Sequence, residues 1–270
     1  MLDGVREEEK YSTLLLGPCW EEERFRKRVR GAKALVSDND GTVIAGSQWL
    51  DMRSCMTEED VETYDRNVRE HFDGPRSDEA DVRLIMEDIR CLVSSRLSSE
   101  RMSELVAAQR PRGGIHELFR SFPFGNAALV SYGLHDYVSG WAARHDVPVA
   151  ETYALRLRWR DDDGRRVLDG CDESTVVTEA TKGAAREAFC AKRKVAERDV
   201  IVLEDTPSML ARMKHPDNVG ILILPAHDPQ PMRTAERLRQ LEREGHFDAI
   251  DAFLVADDWH LLAAMRRGDF

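Results

Sequence analysis

The sequence predicts an α/β fold in which helices cover both faces of a parallel β-sheet. Short apolar runs that end in polar turns recur along the chain, and stretches with helical periodicity separate them. The interval from residue 45 to about residue 112 interrupts this alternation, because it contains no strand-like run. We therefore expect a small all-helical insertion after the first strand of the sheet.

Short apolar runs are the predicted strands of the sheet. They are Lys33 to Ser37, Ala127 to Val130, Val200 to Leu203, Val219 to Leu224 and Phe253 to Ala256. A further segment, from Tyr153 to Trp159, alternates strictly between apolar and polar residues and is followed by Asp163-Gly164. This alternation predicts a β-hairpin.

At least two amphipathic helices are expected in the helical insertion, residues 45–112. Thr57 with Asp60 resembles a capping pair, and apolar residues then recur at helical spacing until Asp73-Gly74-Pro75. A second helix is predicted to follow Ser77, with its apolar residues on one stripe.

Composition and charge exclude several classes of protein. Of the 270 residues, 42% are apolar and 33% are charged, which is typical of a globular chain and excludes disorder. The longest apolar runs are far shorter than the roughly eighteen residues that a membrane span needs. A formal net charge of −11 argues against nucleic acid polymers as partners. The acidic segment Met1 to Lys10 lacks the pattern of a signal peptide, so a cytoplasmic location is expected.

Polar residues follow three of the predicted strands, at the ends where an open parallel sheet binds its ligands. Asp38 and Asp40 follow the first strand. One carboxylate could attack phosphorus, while the other gives a proton to the leaving oxygen and later accepts one from water. Gly41 and Thr42 would let the backbone bend beneath the phosphate. The alternative for such an Asp-rich turn is a solvated loop or a helix cap.

Two further positions suit the binding of phosphate. Ser131 with Gly133 follows the second strand and precedes a helical stretch that starts near His135, so a hydroxyl and free N–H groups could form a small anion site. A plain helix N-cap is the alternative. Lys182 opens another predicted helix, where it opposes the helix dipole. It could neutralise a phosphate oxygen, or it could lie on the surface.

Glu204 and Asp205 follow the third strand and supply the carboxylate oxygens that Mg²⁺ prefers. With Asp38 offering a further oxygen, Asp205 could complete the protein side of a magnesium site. Glu204 could reach the ion directly or through a water. An ordinary acidic loop is the alternative.

In their order and placement, these motifs resemble the haloacid dehalogenase-like superfamily of aspartate-nucleophile phosphotransferases. The resemblance covers roughly Ala34 to Leu210, and its specific part is the first motif, Asp38 to Val43 (DNDGTV). The second Asp of this motif favours the phosphatase and mutase members, since the dehalogenase branch lacks it.

The resemblance implies a role for each candidate residue. Asp38 looks like the nucleophile that becomes an aspartyl-phosphate, and Asp40 like the general acid and base. The implied phosphate-binding residues are Thr42, Ser131, Tyr132, Gly133 and Lys182. The implied ligands of Mg²⁺ are Asp38, Asp40, Glu204 and Asp205.

One motif departs from the common family pattern. Many members carry Gly-Asp and a further Asp four residues on, whereas Glu204 precedes Asp205 here and Met209 stands at the later position. The Glu-Asp pair is similar to a variant in which both carboxylates serve the metal. Which second carboxylate completes the metal shell is therefore open.

The helical insertion looks like the family's cap of the first type, which closes over the substrate. It is similar to the cap of the phosphoserine phosphatase and pyrimidine 5′-nucleotidase branch, which implies a Rossmann-like core with a helical lid. The implied domains are an extension packed on the core (1–32), a catalytic core (33–44 and 113–270) and the cap (45–112). Candidate contacts of the leaving group, with core packing or a solvated surface as the alternative, are Trp49, Met56, Arg66, Arg83 and Arg90.

These roles together predict a Mg²⁺-dependent phosphomonoesterase that acts on a small phosphorylated metabolite, with a nucleoside 5′-monophosphate as one candidate. A phosphomutase or phosphotransferase that uses the same aspartate is the alternative within enzymes. A non-catalytic binding or regulatory protein on this fold is the alternative from another class. Degenerate members usually lose the nucleophile or the acid, and both Asp38 and Asp40 are present here.

Overall fold

The computed structural model describes residues 12–17, 19–73, 77–123, 125–225, 239–240, 242–243, 245 and 250–269. The strands are β1 (Thr13–Leu16), β2 (Ala34–Ser37), β3 (Ala127–Leu134), β4 (Glu151–Asp162), β5 (Arg165–Asp172), β6 (Val200–Glu204), β7 (Val219–Leu224) and β8 (Ala252–Val255). The helices are α1 (Glu22–Gly31), α2 (Gln48–Arg53), α3 (Glu58–Asp73), α4 (Asp78–Ser94), α5 (Ser99–Ala108), α6 (Ile115–Arg120), α7 (His135–Arg144), α8 (Lys182–Arg193), α9 (Pro207–Met213) and α10 (His260–Arg267). None of the helices described has the length and apolar character that crossing a bilayer requires.

The strands among the described residues form one mixed sheet in the order β1-β8-β7-β6-β2-β3-β4-β5. Neighbouring strands are parallel from β8 to β4, while β1 is antiparallel to β8 and β5 is antiparallel to β4. The predicted α/β class with a largely parallel sheet is confirmed. The edge strand β1 is absent from the sequence prediction, because its short run of partly exposed residues gives no clear period.

Successive residues of the central strand β2 bury their side chains on opposite faces of the sheet. Leu35 lies in one apolar cluster with Phe25 of α1. Ala34 and Val36 lie in a second cluster with Phe189 of α8. Because side chains alternate along a strand, helices cover both faces of the sheet, as the sequence predicts.

Strand β3 continues to Leu134, beyond the predicted end at Val130. Its pairing with β4 shifts between Val130 and Leu134, so the register gives residues 131–133 no partner in β4. Irregular pairing of this kind turns side chains and backbone groups away from the regular ladder. The candidate phosphate-binding segment therefore lies at the irregular end of β3.

The predicted hairpin is present as β4 and β5. Asp162 pairs with Arg165, and the two residues between them, Asp163 and Gly164, have φ angles of 51° and 79°. Positive φ at both central positions defines a type I′ turn, which Asp and Gly tolerate better than most residues.

Within the helical insertion the described residues form four helices, α2 to α5, where the sequence predicts at least two. The Thr57 hydroxyl accepts a hydrogen bond from the Asp60 N–H at 3.3 Å and donates to its carboxylate at 2.8 Å, so the predicted capping pair is present. The Ser77 side chain caps α4. Helix α3 ends at Asp73, and the predicted Gly74-Pro75 stop lies outside the described residues.

Both connections to the helical insertion run beside the loop that follows β2. On the way in, the Gly41 N–H donates to the Gly46 carbonyl at 3.1 Å. On the way out, the Arg112 N–H donates to the Val43 carbonyl at 2.9 Å. The first motif is thus tied to both ends of the insertion, while the domain boundaries themselves stay a prediction.

Candidate active site

Three neighbouring strands bring the candidate site residues to one edge of the sheet. β2 lies between β6 and β3, and its last residue, Ser37, is level with the end of β6 and with the middle of β3. Asp38 leaves β2 at this point, while Glu204 ends β6 and Ser131 lies in β3. Residues far apart in the sequence therefore meet in one place.

Asp38 is buried and is held by the lysine that opens α8. Lys182 Nζ lies 2.7 Å from Asp38 Oδ1 and donates a hydrogen bond to it. Asp38 Oδ2 accepts a longer hydrogen bond, at 3.4 Å, from the Thr42 hydroxyl. Oδ2 is therefore the more weakly held oxygen of the predicted nucleophile.

Lys182 has no exposed surface and also donates to Glu204 Oε1. Burial opposes the charged ammonium, but the carboxylates of Asp38 and Glu204 outweigh it and raise the pKa of Lys182 above its ordinary value. The reading of Lys182 as a surface lysine is excluded. The residue places a buried positive charge beside the predicted nucleophile.

Glu204 and Asp205 differ in how their oxygens are used. Glu204 Oε1 contacts Lys182, and its Oε2 accepts from the N–H groups of Asp205 at 3.0 Å and Thr206 at 3.2 Å. Asp205 Oδ1 accepts from the Thr206 hydroxyl at 3.1 Å. Glu204 therefore anchors the lysine and the loop, which leaves Asp205 Oδ2 as the oxygen least committed to protein donors.

The residues present fit a magnesium ion. Among the described residues, one ligand atom each from Asp38, Glu204 and Asp205 lie within 4.8 Å of one another. Burial, and next the charge of Asp38, raise the pKa of Asp205 to about 6, as expected where negative charge is in excess. Hard carboxylate oxygens of this kind suit Mg²⁺. The Asp40 carboxylate is not in this group, and its service as a ligand stays a prediction.

Asp40 is held by several donors. Its Oδ1 accepts from Asn39 Nδ2 at 2.8 Å and Gln48 Nε2 at 2.9 Å, and its Oδ2 accepts from the Gln48 N–H at 2.8 Å and the Ser47 hydroxyl at 3.3 Å. Burial, and next the charge of Asp38, raise the pKa of Asp40 to about 7 against the lowering by these hydrogen bonds. A carboxyl with a pKa near neutrality can both give and take a proton.

Ser131, Tyr132 and Gly133 all line the cavity above these carboxyls. The Ser131 hydroxyl oxygen accepts from the Gly133 N–H at 3.1 Å and from Gln48 Nε2 at 3.2 Å. Because both contacts use the oxygen as acceptor, its hydrogen is available for an oxygen of a ligand.

At two positions of the site, neighbouring side chains approach the backbone so closely that only glycine fits. A Cβ on Gly41, whose φ is +72°, would lie 1.9 Å from Asp205 Oδ2. A Cβ on Gly133 would lie 1.9 Å from Gln48 Nε2. Any larger residue at either position would therefore displace a side chain of the site.

A cavity of about 530 Å³ opens over the strand ends, with residues of the helical insertion on its far side. Its lining residues are Asp38, Asp40, Gly41, Ala45, Gly46, Ser47, Trp49, Leu50, Tyr64, Val68, His71, Leu84, Asp88, Ser131, Tyr132, Gly133, Asp205, Thr206 and Met209. Of the candidate leaving-group contacts, Trp49 is among them. Met56, Arg66, Arg83 and Arg90 are not, and Arg83 lines a neighbouring cavity of about 550 Å³.

Asp88 of α4 is a buried carboxyl in this cavity wall. Its side chain is 3% exposed, and its Oδ1 has no hydrogen-bond partner among the described residues. Burial, and next the charge of Glu87, raise the pKa of Asp88 to about 8. A carboxyl that is neutral at pH 7 can donate as well as accept, so Asp88 is suited to a polar group of a ligand.

The sequence prediction misses several residues of the site, among them Gln48, Asp88 and Arg112. Arg112 donates from Nε at 3.1 Å and from Nη2 at 2.7 Å to the Gly41 carbonyl. A Gln at a helix start and an Arg in a connection are usually exposed, so neither stands out in a single sequence. Asp88 carries a signal, because it interrupts the apolar stripe of α4 three residues after Ile85.

Comparison with known proteins finds similarity of structure. No family model matches the sequence, and no curated protein matches it. Cytosolic 5′-nucleotidase IIIB bound to cytidine is similar with a TM-score of 0.65 and 17% identity, over 94% of each chain. A HAD family hydrolase from Salmonella enterica subsp. enterica serovar Typhi has a TM-score of 0.58 and 16% identity, over 77% of this chain and 74% of its own.

A phospho-aspartyl intermediate analogue of phosphoserine phosphatase is also similar, with a TM-score of 0.52 and 16% identity, over 79% of this chain and 98% of that chain. At these identities the similarity concerns the fold. The predicted resemblance is thus confirmed at that level: the chain has the fold of the haloacid dehalogenase-like hydrolases.

Proposed function

We propose that this protein is a Mg²⁺-dependent phosphomonoesterase that transfers the phosphoryl group of a small metabolite to Asp38 and then hydrolyses the aspartyl-phosphate. One observation carries the proposal. Asp38 lies 2.7 Å from the fully buried Lys182 and lines, with the second carboxyl of Asp40, a cavity of about 530 Å³. The fold shared with phosphoserine phosphatase and a 5′-nucleotidase supports the same reading.

The first step forms the phosphoenzyme. An oxygen of Asp38 attacks phosphorus, the bond from phosphorus to the leaving oxygen breaks, and Asp40 gives that oxygen its proton. Oδ2 is the candidate nucleophile, since Lys182 holds Oδ1. The Lys182 ammonium and the Ser131 hydroxyl stabilise the charge on the phosphoryl oxygens.

The second step releases phosphate. A water molecule gives a proton to Asp40 and attacks phosphorus, and the bond to Asp38 breaks. Inorganic phosphate leaves, the Asp38 carboxylate is restored and Asp40 is protonated again. Asp40 therefore acts first as acid and then as base, as a group with a pKa near neutrality can.

Asp38 and Asp205 would hold the magnesium ion, with Glu204 close by and engaged with Lys182. When bound, the ion supplies positive charge to the phosphoryl oxygens and screens them from the attacking carboxylate. The residues present fit this role because Lys182 forms ion pairs with Asp38 and Glu204, while Asp205 adds a third carboxyl group to the cluster.

A nucleoside 5′-monophosphate is the substrate class that we propose. The cavity carries three aromatic side chains, Trp49, Tyr64 and Tyr132, which suit a flat ring. The buried carboxyl of Asp88 offers a donor and an acceptor for a polar ring edge. The similar 5′-nucleotidase IIIB structure contains cytidine.

A panel of phosphate monoesters tests the proposal. Purified protein is incubated with nucleoside 5′-monophosphates, phosphoserine, sugar phosphates and p-nitrophenyl phosphate, with Mg²⁺ or with EDTA, and inorganic phosphate is measured. We expect release with Mg²⁺, and loss of release with EDTA or in Asp38→Asn. Failure to hydrolyse any ester with Mg²⁺ would contradict the proposal. Adding an alcohol to the assay distinguishes a phosphomonoesterase from the phosphotransferase alternative. A phosphotransferase would pass the phosphoryl group to the alcohol and form a new phosphate ester in place of inorganic phosphate.

A further inference from the structure

We propose that Gln48 is the positioning residue for Asp40, the acid of the phosphomonoesterase reaction. The inference rests on the proposed function and assigns the positioning of the proton donor to the first residue of α2. Gln48 begins α2 and has no exposed surface.

The hydrogen bonds of Gln48 fix the orientation of its amide. Oε1 faces the Leu134 N–H at 2.7 Å, and an N–H can only donate. Nε2 must then point the other way, where it donates to Asp40 Oδ1 at 2.9 Å and to Ser131 Oγ at 3.2 Å. Both amide hydrogens and the amide oxygen are thus engaged.

The same residue holds both oxygens of the Asp40 carboxyl. Its backbone N–H donates to Oδ2 at 2.8 Å, while its side chain donates to Oδ1. Two donors from one residue fix the plane of the carboxyl, which sets the direction in which its proton is delivered. Gly133 provides the space for this arrangement, because a Cβ there would overlap the Gln48 amide.

Gln48 also joins the acid to the phosphate end of the site. Its amide bridges Asp40, in the loop that follows β2, and Ser131 of β3. A residue that merely packs would not need a donor directed at the carboxyl. Removal of the donor should therefore impair the step in which Asp40 protonates the leaving oxygen, while the hydrogen bond from Lys182 to Asp38 stays in place.

Leaving-group dependence isolates this step. p-Nitrophenolate departs as an anion and needs no proton, whereas an alkoxide leaving group needs the proton of Asp40. We measure kcat/KM with Mg²⁺ for p-nitrophenyl phosphate and for an alkyl phosphate, in wild type, Gln48→Met, Gln48→Glu and Asp40→Asn. The value of kcat/KM reports the transfer to Asp38 and excludes the later hydrolysis.

We expect Gln48→Met to lower kcat/KM for the alkyl ester at least about tenfold more than for p-nitrophenyl phosphate. Asp40→Asn should show the same pattern more strongly, with a difference of about 10²- to 10⁴-fold between the two esters. Gln48→Glu has nearly the same size, replaces the donor by an oxygen and carries the same expectation. Because the ratio of the two values does not depend on the concentration of folded enzyme, a poorly folding variant still gives the result.

Gln109→Met is the matched control. Gln109 is a partly buried amide that donates to Asp51 at 2.7 Å, and no contact joins it to Asp40. We expect it to leave the ratio unchanged. Equal losses on both esters in the two Gln48 variants, with an active wild type, would overturn this inference alone. A wild type inactive on every ester would instead overturn the proposed function, and the inference with it.

Discussion

The two ends of the cavity differ in how their buried carboxyl groups are satisfied. At the strand ends, Asp38, Asp40 and Glu204 all accept hydrogen bonds from neighbouring side chains or backbone. In the wall formed by α4, the buried Asp88 has an oxygen with no hydrogen-bond partner among the described residues. The carboxyl groups at the strand ends are thus held in place before any substrate arrives. At the other end, which we call the open end, Asp88 keeps one oxygen that a ligand could contact.

This difference matches the chemistry that each end would perform. The phosphoryl group is the same in every phosphate ester, so groups that address it can be fixed in advance. The leaving group varies, so its contacts must come from elsewhere. A buried polar group without a partner costs about 1–3 kcal/mol. A ligand that supplies the missing partner at Asp88 would recover part of that free energy as binding.

The largest expected effect concerns the end that is already assembled. Asp38→Asn should lower turnover by at least about 10⁴-fold, because the nearly isosteric amide cannot attack phosphorus. Phosphate release from the best ester measures the loss, and circular dichroism checks the fold. Asp60→Asn, which changes the capping pair with Thr57 and a hydrogen bond from Ser95 within the insertion, is the control and should keep its turnover. Retention of more than a few per cent of turnover in Asp38→Asn would remove Asp38 from the mechanism.

The second effect concerns stability at the open end. The pKa of Asp88 is about 8 in the folded chain against an ordinary 3.8. Between these values the folded state holds a proton that the unfolded state has lost, so this group makes stability fall as pH rises. Asp88→Asn lacks the titration. The free energy of unfolding of Asp88→Asn minus that of wild type should therefore rise from about pH 4 to about pH 8, by at most about 1.4 kcal/mol per pH unit. Above about pH 8 this difference should stay constant.

Urea unfolding at pH 5, 6, 7 and 8 measures this difference. Asp65→Asn is the control, because the hydrogen bond from Arg53 lowers the pKa of the partly exposed Asp65. Its contribution to stability is already complete above about pH 4, so its difference from wild type should not change over this range. A pH-independent difference for Asp88→Asn would show that Asp88 is ionised in the fold.

The contrast between the two ends also separates what the sequence could predict from what it could not. Asp38, Ser131 and Glu204 lie at strand ends, where a run of apolar residues followed by a polar turn identifies them locally. The strand order then brings them together, and all the predicted strands are found. The structure adds which oxygen of each carboxyl is engaged, and no local pattern contains that.

Residues that act across elements are the ones that sequence reasoning misses. Gln48, near the start of the insertion, accepts a hydrogen bond from the Leu134 N–H of β3. Arg112, at the end of the insertion, donates to the Gly41 carbonyl in the loop after β2. The role of each residue depends on a partner that is distant in the sequence, so neither hydrophobic periodicity nor local composition identifies it. Four of the five candidate cap contacts, Met56, Arg66, Arg83 and Arg90, do not line this cavity, whereas Trp49 does. Residue type alone singles out Arg66, Arg83 and Arg90, whereas position on the inner face of α3 and α4 decides which side chains line the cavity.

The third effect distinguishes the two acidic residues that follow β6. Asp205→Asn should raise the Mg²⁺ concentration needed for half-maximal activity about 10- to 100-fold, because it removes the carboxylate least committed to protein donors. Glu204→Gln should shift this concentration less and lower stability more, since it disturbs a buried ion pair with Lys182. Activity against Mg²⁺ and urea unfolding are measured for both. The reverse pattern would exchange their roles.

The smallest expected effect tests whether the open end selects the substrate. Asp88→Leu has similar size and no polar atom, so it should lower kcat/KM for the best ester by about 10- to 100-fold, or about 1–3 kcal/mol. p-Nitrophenyl phosphate, which has no polar ring edge to match, should be hydrolysed nearly as well as before. Asp88→Asn keeps a donor and an acceptor and should lose less. Kinetics on both esters measure the three enzymes.

Stability decides how these rates are interpreted. Asp88→Leu removes a buried oxygen that has no hydrogen-bond partner among the described residues, so this variant should be at least as stable as wild type at neutral pH. A loss of kcat/KM in a protein that has become more stable cannot come from unfolding. A variant that is more stable than wild type but has a lower kcat/KM for one substrate indicates a residue that serves ligand binding and not folding. Equal losses on the two esters would instead assign the α4 wall to the exclusion of water, and the choice of leaving group to other residues of the cavity.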